Sequence, residues 1–181
     1  MTGTEIEIGL ATAAEAEACS DLERRAATLF SPEDLSPALA AQATAVAVYA
    51  QAQREERLIA SRHVGGRLVG FAHVTIPSEG EAAHLEELDV DPDWGRQGVG
   101  SRLVAAVFEW AEARGFREVH LSTFRDVPWN APFYARLGFE IVDESEWTAE
   151  MRALREAERE QGLDPDRRVL MRREVAATEG R

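Results

Sequence analysis

Cysteine is almost missing from this chain of 181 residues, where Cys19 stands alone. A lone thiol excludes an intramolecular disulfide framework and any zinc site built on several cysteines. Its Ala/Glu-rich surroundings predict a structural place in a helix. Basic residues are outnumbered, 20 Lys and Arg against 33 Asp and Glu, for a formal charge of −13. That balance argues against nucleic acid or an anionic membrane surface as a partner and favours a cationic one. No apolar run approaches the roughly 18 residues of a spanning helix, and the start MTGTEIEIGL lacks a basic stretch followed by a greasy one. A soluble, cytoplasmic chain is expected. His63 and His73 have no carboxylate or cysteine at ligand spacing, so no metal is expected. Repeats and low-complexity linkers are lacking too, which predicts a single domain over 1–181 with a frayed tail at 176–181.

What is present, 45% hydrophobic residues in alternating strand and helix patterns, predicts a mixed α/β fold around one sheet. A strand is expected at 5–11, where Ile6, Ile8 and Leu10 alternate with polar neighbours, then a helix over 13–29. Ser36-Pro37 offers an N-cap with proline at the first helical position, so a second helix is expected to run to Gln53. Strands at 58–64 and 68–76 form a hairpin across Gly65-Gly66, and 77–80 is the next turn. A strand over 84–90 leads through a glycine-rich bend into an amphipathic helix with Leu103, Val104, Val107, Phe108 and Ala111 on one face. Further strands are expected at 119–124 and 139–142, helices at 131–137 and 147–161, and a final short strand at 169–171.

The bend, LDVDPDWGRQGVGSRLV at 88–104, carries the most chemistry. Gly95, Gly98 and Gly100 run straight into a helix whose first amides lack intrahelical acceptors, and the helix dipole adds positive potential there. An oxyanion such as pyrophosphate fits that end, and a side chain at Gly98 or Gly100 would stand in its way. The order G-x-x-G-x-G is neither the dinucleotide fingerprint nor a P-loop. VDPDWGRQGVGSRLV resembles the acetyl-CoA signature of the GNAT superfamily of N-acetyltransferases, R/Q-x-x-G-x-G/A after a strand ending Val-x-Pro. Gly95 occupies the usual Arg/Gln position, with Arg96 and Gln97 just inside it.

A second motif, WNAPFYARLGF at 129–139, is similar to the same family's Tyr followed after three residues by Gly-Phe, here Tyr134, Gly138 and Phe139. Val127 stands where an Asn is often found, and Asn130 lies nearby. The resemblance implies a GNAT-like twisted mixed sheet flanked by helices, with acetyl-CoA in the cleft between two splayed parallel strands. It implies a co-substrate site made by Leu88, Asp89, Val90, Gly95, Arg96, Gln97, Gly98, Val99, Gly100, Ser101, Asn130 and Phe133. A bulge near Leu88 and Asp89 is implied as well, turning the Val90 amide to the thioester oxygen.

The chemistry implied is direct acetyl transfer from acetyl-CoA to a primary amine, with no further cofactor. The departing thiolate needs a proton, and a phenol of pKa roughly 10 against roughly 8.5 for a thiol makes Tyr134 the general acid. The amine arrives protonated and needs a base. Family members with a base on this strand carry it four or six positions before the Val of Val-x-Pro, which gives Glu86 first and His84 second. A small-molecule amine is the favoured acceptor; a protein N-terminal or lysine acetyltransferase, or a non-catalytic acyl-CoA sensor, are the alternatives. A homodimer is compatible with the resemblance.

Other features are expected to mean less. The acidic run Glu79, Glu81, Glu86, Glu87, Asp89, Asp91 and Asp93 either steers a cationic amine or is a solvated hairpin edge. Trp129 and Phe133 read as core aromatics, and Arg167, Arg168, Arg172 and Arg173 as the charged ends of a strand.

Overall fold

The computed structural model describes residues 6–77 and 82–176. Residues 1–5, most of the turn expected at 77–80, Glu79, Glu81 and the tail at 177–181 lie outside the described residues. The chain divides into two compact units, each drawn from two stretches: Met1–Thr75 with Leu85–Trp110, and Ile76–His84 with Ala111–Arg181.

The elements run β1 (Ile6–Leu10), α1 (Ala13–Ala27), α2 (Pro37–Ala40), α3 (Val46–Arg54), β2 (Leu58–His63), β3 (Leu68–Thr75), β4 (Ala82–Val90), α4 (Val99–Ala113), β5 (Glu118–Phe124), α5 (Ala131–Arg136), β6 (Glu140–Ile141), α6 (Ala149–Glu160) and β7 (Arg168–Glu174). Among the described residues, seven strands share one sheet in the order β1-β2-β3-β4-β5-β7-β6. It is mixed: β1, β2 and β3 pair antiparallel, β4 and β5 pair parallel over Ala82–His84 and Glu118–His120, and β7 lies antiparallel to both β5 and β6.

In the first unit, α1 opens on a capping box in which Thr12 and Glu15 satisfy each other's orphan groups. Glu15 also receives Arg62 from β2, at 2.6 Å to Nε. Burial pushes the Glu15 carboxyl up, but the bonds from Arg62 and Thr12 outweigh it and hold it below the ordinary range. The helix buries Ala16, Cys19, Leu22 and Ala26 at helical spacing, against Tyr49 and Ala52 of α3 and Leu58, Ala60 and Phe71 of the sheet. Burial also pushes the Cys19 thiol up to about 12, which suits a packing residue and not a nucleophile.

The helix expected over 37–53 is two helices. Thr44 is drawn out of helical bonding: its carbonyl accepts from Ser20 Oγ at 2.5 Å, and its amide and Oγ1 donate to Glu23 at 2.8 and 3.3 Å. An amide held by a carboxylate cannot also close a helical turn, so tertiary bonds override the alanine-rich propensity.

In the second unit α6, capped by Thr148, packs Met151 against Val142 and Leu170. β7 is longer than the short strand expected and lies inside the sheet. Two of its arginines are neutralised where they stand, Arg168 by Glu158 at 2.6 Å and Arg172 by Glu146 at 2.8 Å, so charge does not end the strand. No helix among the described residues is long and apolar enough to cross a membrane.

Candidate active site

The bend between β4 and α4 is fixed by Asp91. Its amide donates to Val69 of β3 at 2.9 Å, and its buried carboxylate accepts from the Asp93 amide at 3.1 Å, from Arg25 at 3.1 Å and from Arg67 at 3.0 Å. Burial works against its charge, but those three donors prevail and hold its pKa below the ordinary carboxylate value. A short 3-10 turn over Pro92–Trp94 follows, and Gly95 to Gly98 are then all exposed.

Arg96 and Gly98 both take left-handed backbone, at φ 58° and 80°. A side chain at Gly98 would meet no atom within 4 Å. The sequence reading asks for glycine there only to admit a ligand; the backbone angle alone already demands it. The open space leaves room for an anion. The first α4 bond beyond the bend joins the Arg102 amide to Gly98 O at 3.1 Å, and by helix geometry the amides of Val99, Gly100 and Ser101 have no intrahelical acceptor. This cradle fits a pyrophosphate.

Beneath the bend, Gly70 of β3 admits close contact: a Cβ there would lie 2.9 Å from Asp89 O and 3.1 Å from Leu103. Leu88, Asp89 and Val90 are half-buried. Glu86 is exposed and accepts from Thr75 Oγ1 at 3.5 Å, while His84 is half-buried. Among the described residues, the acidic run is solvated only at Glu86 and Asp93. Asp91 is buried, Glu87 and Asp89 are half-buried, and Asp89 Oδ2 touches neither solvent nor any hydrogen-bond donor. Sequence reading missed Glu23 of α1, which faces this stretch and takes a hydrogen bond from Tyr49 at 2.8 Å. A signal was there: alternation continues the buried pair Ala83 and Leu85 with Glu87 and Asp89, carboxylates where apolar residues would be expected.

In the second unit, Tyr134 lies buried on α5 between two rings, Phe133 at 5.1 Å and Phe139 at 5.6 Å, both edge-on. Phe133 itself is half-buried and Trp129 is exposed, so Trp129 is not the core aromatic expected. Asn130 stands at the start of α5, and its Oδ1 accepts from Thr123 of β5. Among the described residues, no three His, Cys, Asp or Glu side chains are placed to hold a metal ion.

The chain is similar to an uncharacterized N-acetyltransferase of Methanocaldococcus jannaschii, 35% identical over 42% of this chain and 36% of that protein. It is also similar to the mycothiol acetyltransferase of Clavibacter michiganensis subsp. michiganensis, 40% identical over 45% of this chain and 26% of that one. The matched segment thus spans well under half the length of either relative. In fold it resembles N-acetylglutamate synthase from Neisseria gonorrhoeae complexed with coenzyme A and N-acetyl-glutamate, with a TM-score of 0.72 at 17% identity over 95% of this chain and 35% of that one. The description of the acetyltransferase (GNAT) family matches residues 17–139, which take in both the glycine bend and the Tyr134 motif, and the chain belongs to that family.

Proposed function

We propose that the protein transfers the acetyl group of acetyl-CoA directly onto a primary amine of a small molecule. The observation that carries this reading is the family match over 17–139, with an exposed anion cradle at its centre. The amides of Val99, Gly100 and Ser101 take the pyrophosphate, and Arg96 and Gln97 supply side-chain donors beside them. Leu88, Asp89 and Val90 offer backbone groups to the pantetheine arm, and the Val90 amide polarises the thioester oxygen. Asn130 and Phe133 complete the co-substrate site.

In the reaction the amine nitrogen bonds to the acetyl carbon as the carbon–sulfur bond breaks. Glu86 removes the proton that the ammonium brings, with His84 as the second choice, Tyr134 gives its phenolic proton to the sulfur, and the second proton that the nitrogen sheds as the amide forms restores the phenol. Incubation with acetyl-CoA and a library of amines, read by release of free thiol and by mass of the product, tests the transfer. The chain contains no lysine, so acetylation of its own lysines cannot mimic turnover. Tyr134→Phe keeps the ring between Phe133 and Phe139 and removes one proton, so kcat should fall about 10²- to 10⁴-fold with acetyl-CoA affinity unchanged. Turnover within about threefold of the parent removes Tyr134 from the mechanism, and binding of acetyl-CoA without transfer to any amine marks a sensor instead.

A further inference from the structure

Two arginines meet at a single carboxylate oxygen where the bend begins. Arg25 stands in the last turn of α1, and Arg67 follows the Gly65-Gly66 turn between β2 and β3. Each places one Nη2 on Asp91 Oδ2, at 3.1 and 3.0 Å. The turn that carries Arg67 is itself held to the bend: the His63 amide donates to Arg67 O at 2.9 Å, and the His63 ring lies 5.0 Å from the ring of Trp94. Both cations therefore belong to the same corner of the first unit as the exposed stretch Gly95 to Gly98.

Holding Asp91 needs only one of them. Its other oxygen already takes the Asp93 amide, and one guanidinium cancels one carboxylate. The second leaves an excess positive charge at the bend, in a chain whose formal charge is −13. Elsewhere Arg62 has Glu15, and Arg172 has Glu146, as a partner of its own. The Asp93 carboxylate is exposed and makes no ion pair with Arg25 or Arg67 among the described residues. Both arginine side chains are about half exposed, and of the five N–H donors on each guanidinium only the one on Asp91 has a partner among the described residues. Asp91 thus aligns two cationic forks whose remaining donors face water.

We propose that Arg25 and Arg67, gathered by Asp91, hold the ribose phosphate of acetyl-CoA, so that the protein selects this co-substrate over its dephospho form. The assignment rests on the transfer proposed above, in which the α4 amides and Arg96 take the pyrophosphate and the third phosphate has no partner. A phosphate monoester carries nearly two negative charges at neutral pH and three acceptor oxygens. Paired guanidinium forks match that geometry and charge, and an open corner admits a group that stays half in water.

The experiment is calorimetry of the full chain with CoA and with dephospho-CoA, at low salt. The parent should bind CoA at least about tenfold more tightly, as loss of charge-assisted contacts implies. Arg25→Gln and Arg67→Gln, each checked for fold by circular dichroism, should each cut that ratio at least about threefold, and together bring it close to one, while affinity for dephospho-CoA moves less than about twofold. Arg24→Gln removes a charge one residue away, from a side chain that pairs with Asp21, and should leave the ratio within about twofold. Parity of the two ligands in the parent overturns the assignment. Equal weakening of both ligands in the Gln variants does so too, because the arginines then serve only the shape of the bend. An Arg24→Gln loss as large as that of Arg25→Gln replaces the contact by a diffuse field and also overturns it. Heat from neither ligand refutes acetyl-CoA binding and this assignment with it, whereas tight binding of both without preference refutes the assignment alone.

Discussion

Asp89 and Asp91 stand two residues apart, both with carboxylate oxygens shut away from water, and their surroundings push them in opposite directions. Asp91 meets an amide and two guanidinium groups, so it stays ionised and locks the start of the bend. Burial first, and the Glu23 charge second, push Asp89 up to about 8 although a hydrogen bond with Glu87 pulls the other way, and one of its oxygens has no partner. Burial alone does not decide what a carboxyl group does; the sign of the groups around it does. One residue spends its charge on structure. The other keeps a buried oxygen without a hydrogen-bond partner, at a cost in stability.

The largest effect separating the two should come from Asp91→Ala. It strips the turn at Pro92–Trp94 of its cap and leaves Arg25 and Arg67 without their anion. Both arginines are about half exposed, at 49% and 59%, so water recovers part of the loss. The expected cost is about 2–3 kcal/mol by urea denaturation at neutral pH. The Asp91 pKa is depressed on folding, so its contribution is present above the unfolded carboxylate value and fades as pH falls through the folded one. The gap between parent and variant should therefore narrow in acid. A cost below about 0.5 kcal/mol would mean that the bend is held by its backbone alone.

Asp89→Asn should act in the other direction. The folded pKa is raised to about 8, so between the unfolded carboxylate range and that value the native state binds more protons than the unfolded one. Stability of the parent relative to the Asn variant then declines as pH rises across that window and levels off above it. Thermal melts should coincide most nearly near pH 4.5 and diverge by a few degrees, with the variant higher, at about pH 8.5. A pH-independent difference would remove Asp89 from the titrating cluster.

The unequal legibility of these parts has a physical cause. The glycine bend and the Tyr134 motif are local: the residues of each lie close together along the chain, so spacing exposes them. The Asp89 surroundings are not local, because Glu23 bears on it from α1 across a long stretch of chain. The same non-locality split the 37–53 helix, where Glu23 and Ser20 capture Thr44. It also carried β7 past its expected ends, because Glu146 and Glu158 neutralise its arginines. Charge patterning along the sequence shows how many carboxylates there are. Which of them find arginines is settled only by the tertiary fold.

The smallest predicted effect is the one most specific to the cluster. Tyr49 is fully buried, packed edge-on against Phe71 at 5.1 Å and His73 at 5.6 Å, and its hydroxyl donates to Glu23. Burial and the charges of Glu87 and Glu23 all oppose loss of its proton, so the hydroxyl remains a donor across the accessible pH range. Tyr49→Phe keeps the ring and both aromatic contacts and deletes only that donor. Glu23 retains its two bonds from Thr44, so the expected loss is about 1 kcal/mol, at the low end for a hydrogen bond to a charged group. The pH profile carries the sharper signal. The hydroxyl points its proton at the Glu23 carboxylate and softens the negative field that reaches Asp89, so without it the window over which stability declines should end at slightly higher pH than in the parent. If Tyr49→Phe costs its kilocalorie without moving that window, the hydroxyl serves packing of α3 on α1, and the electrostatic link from Glu23 to Asp89 does not pass through it.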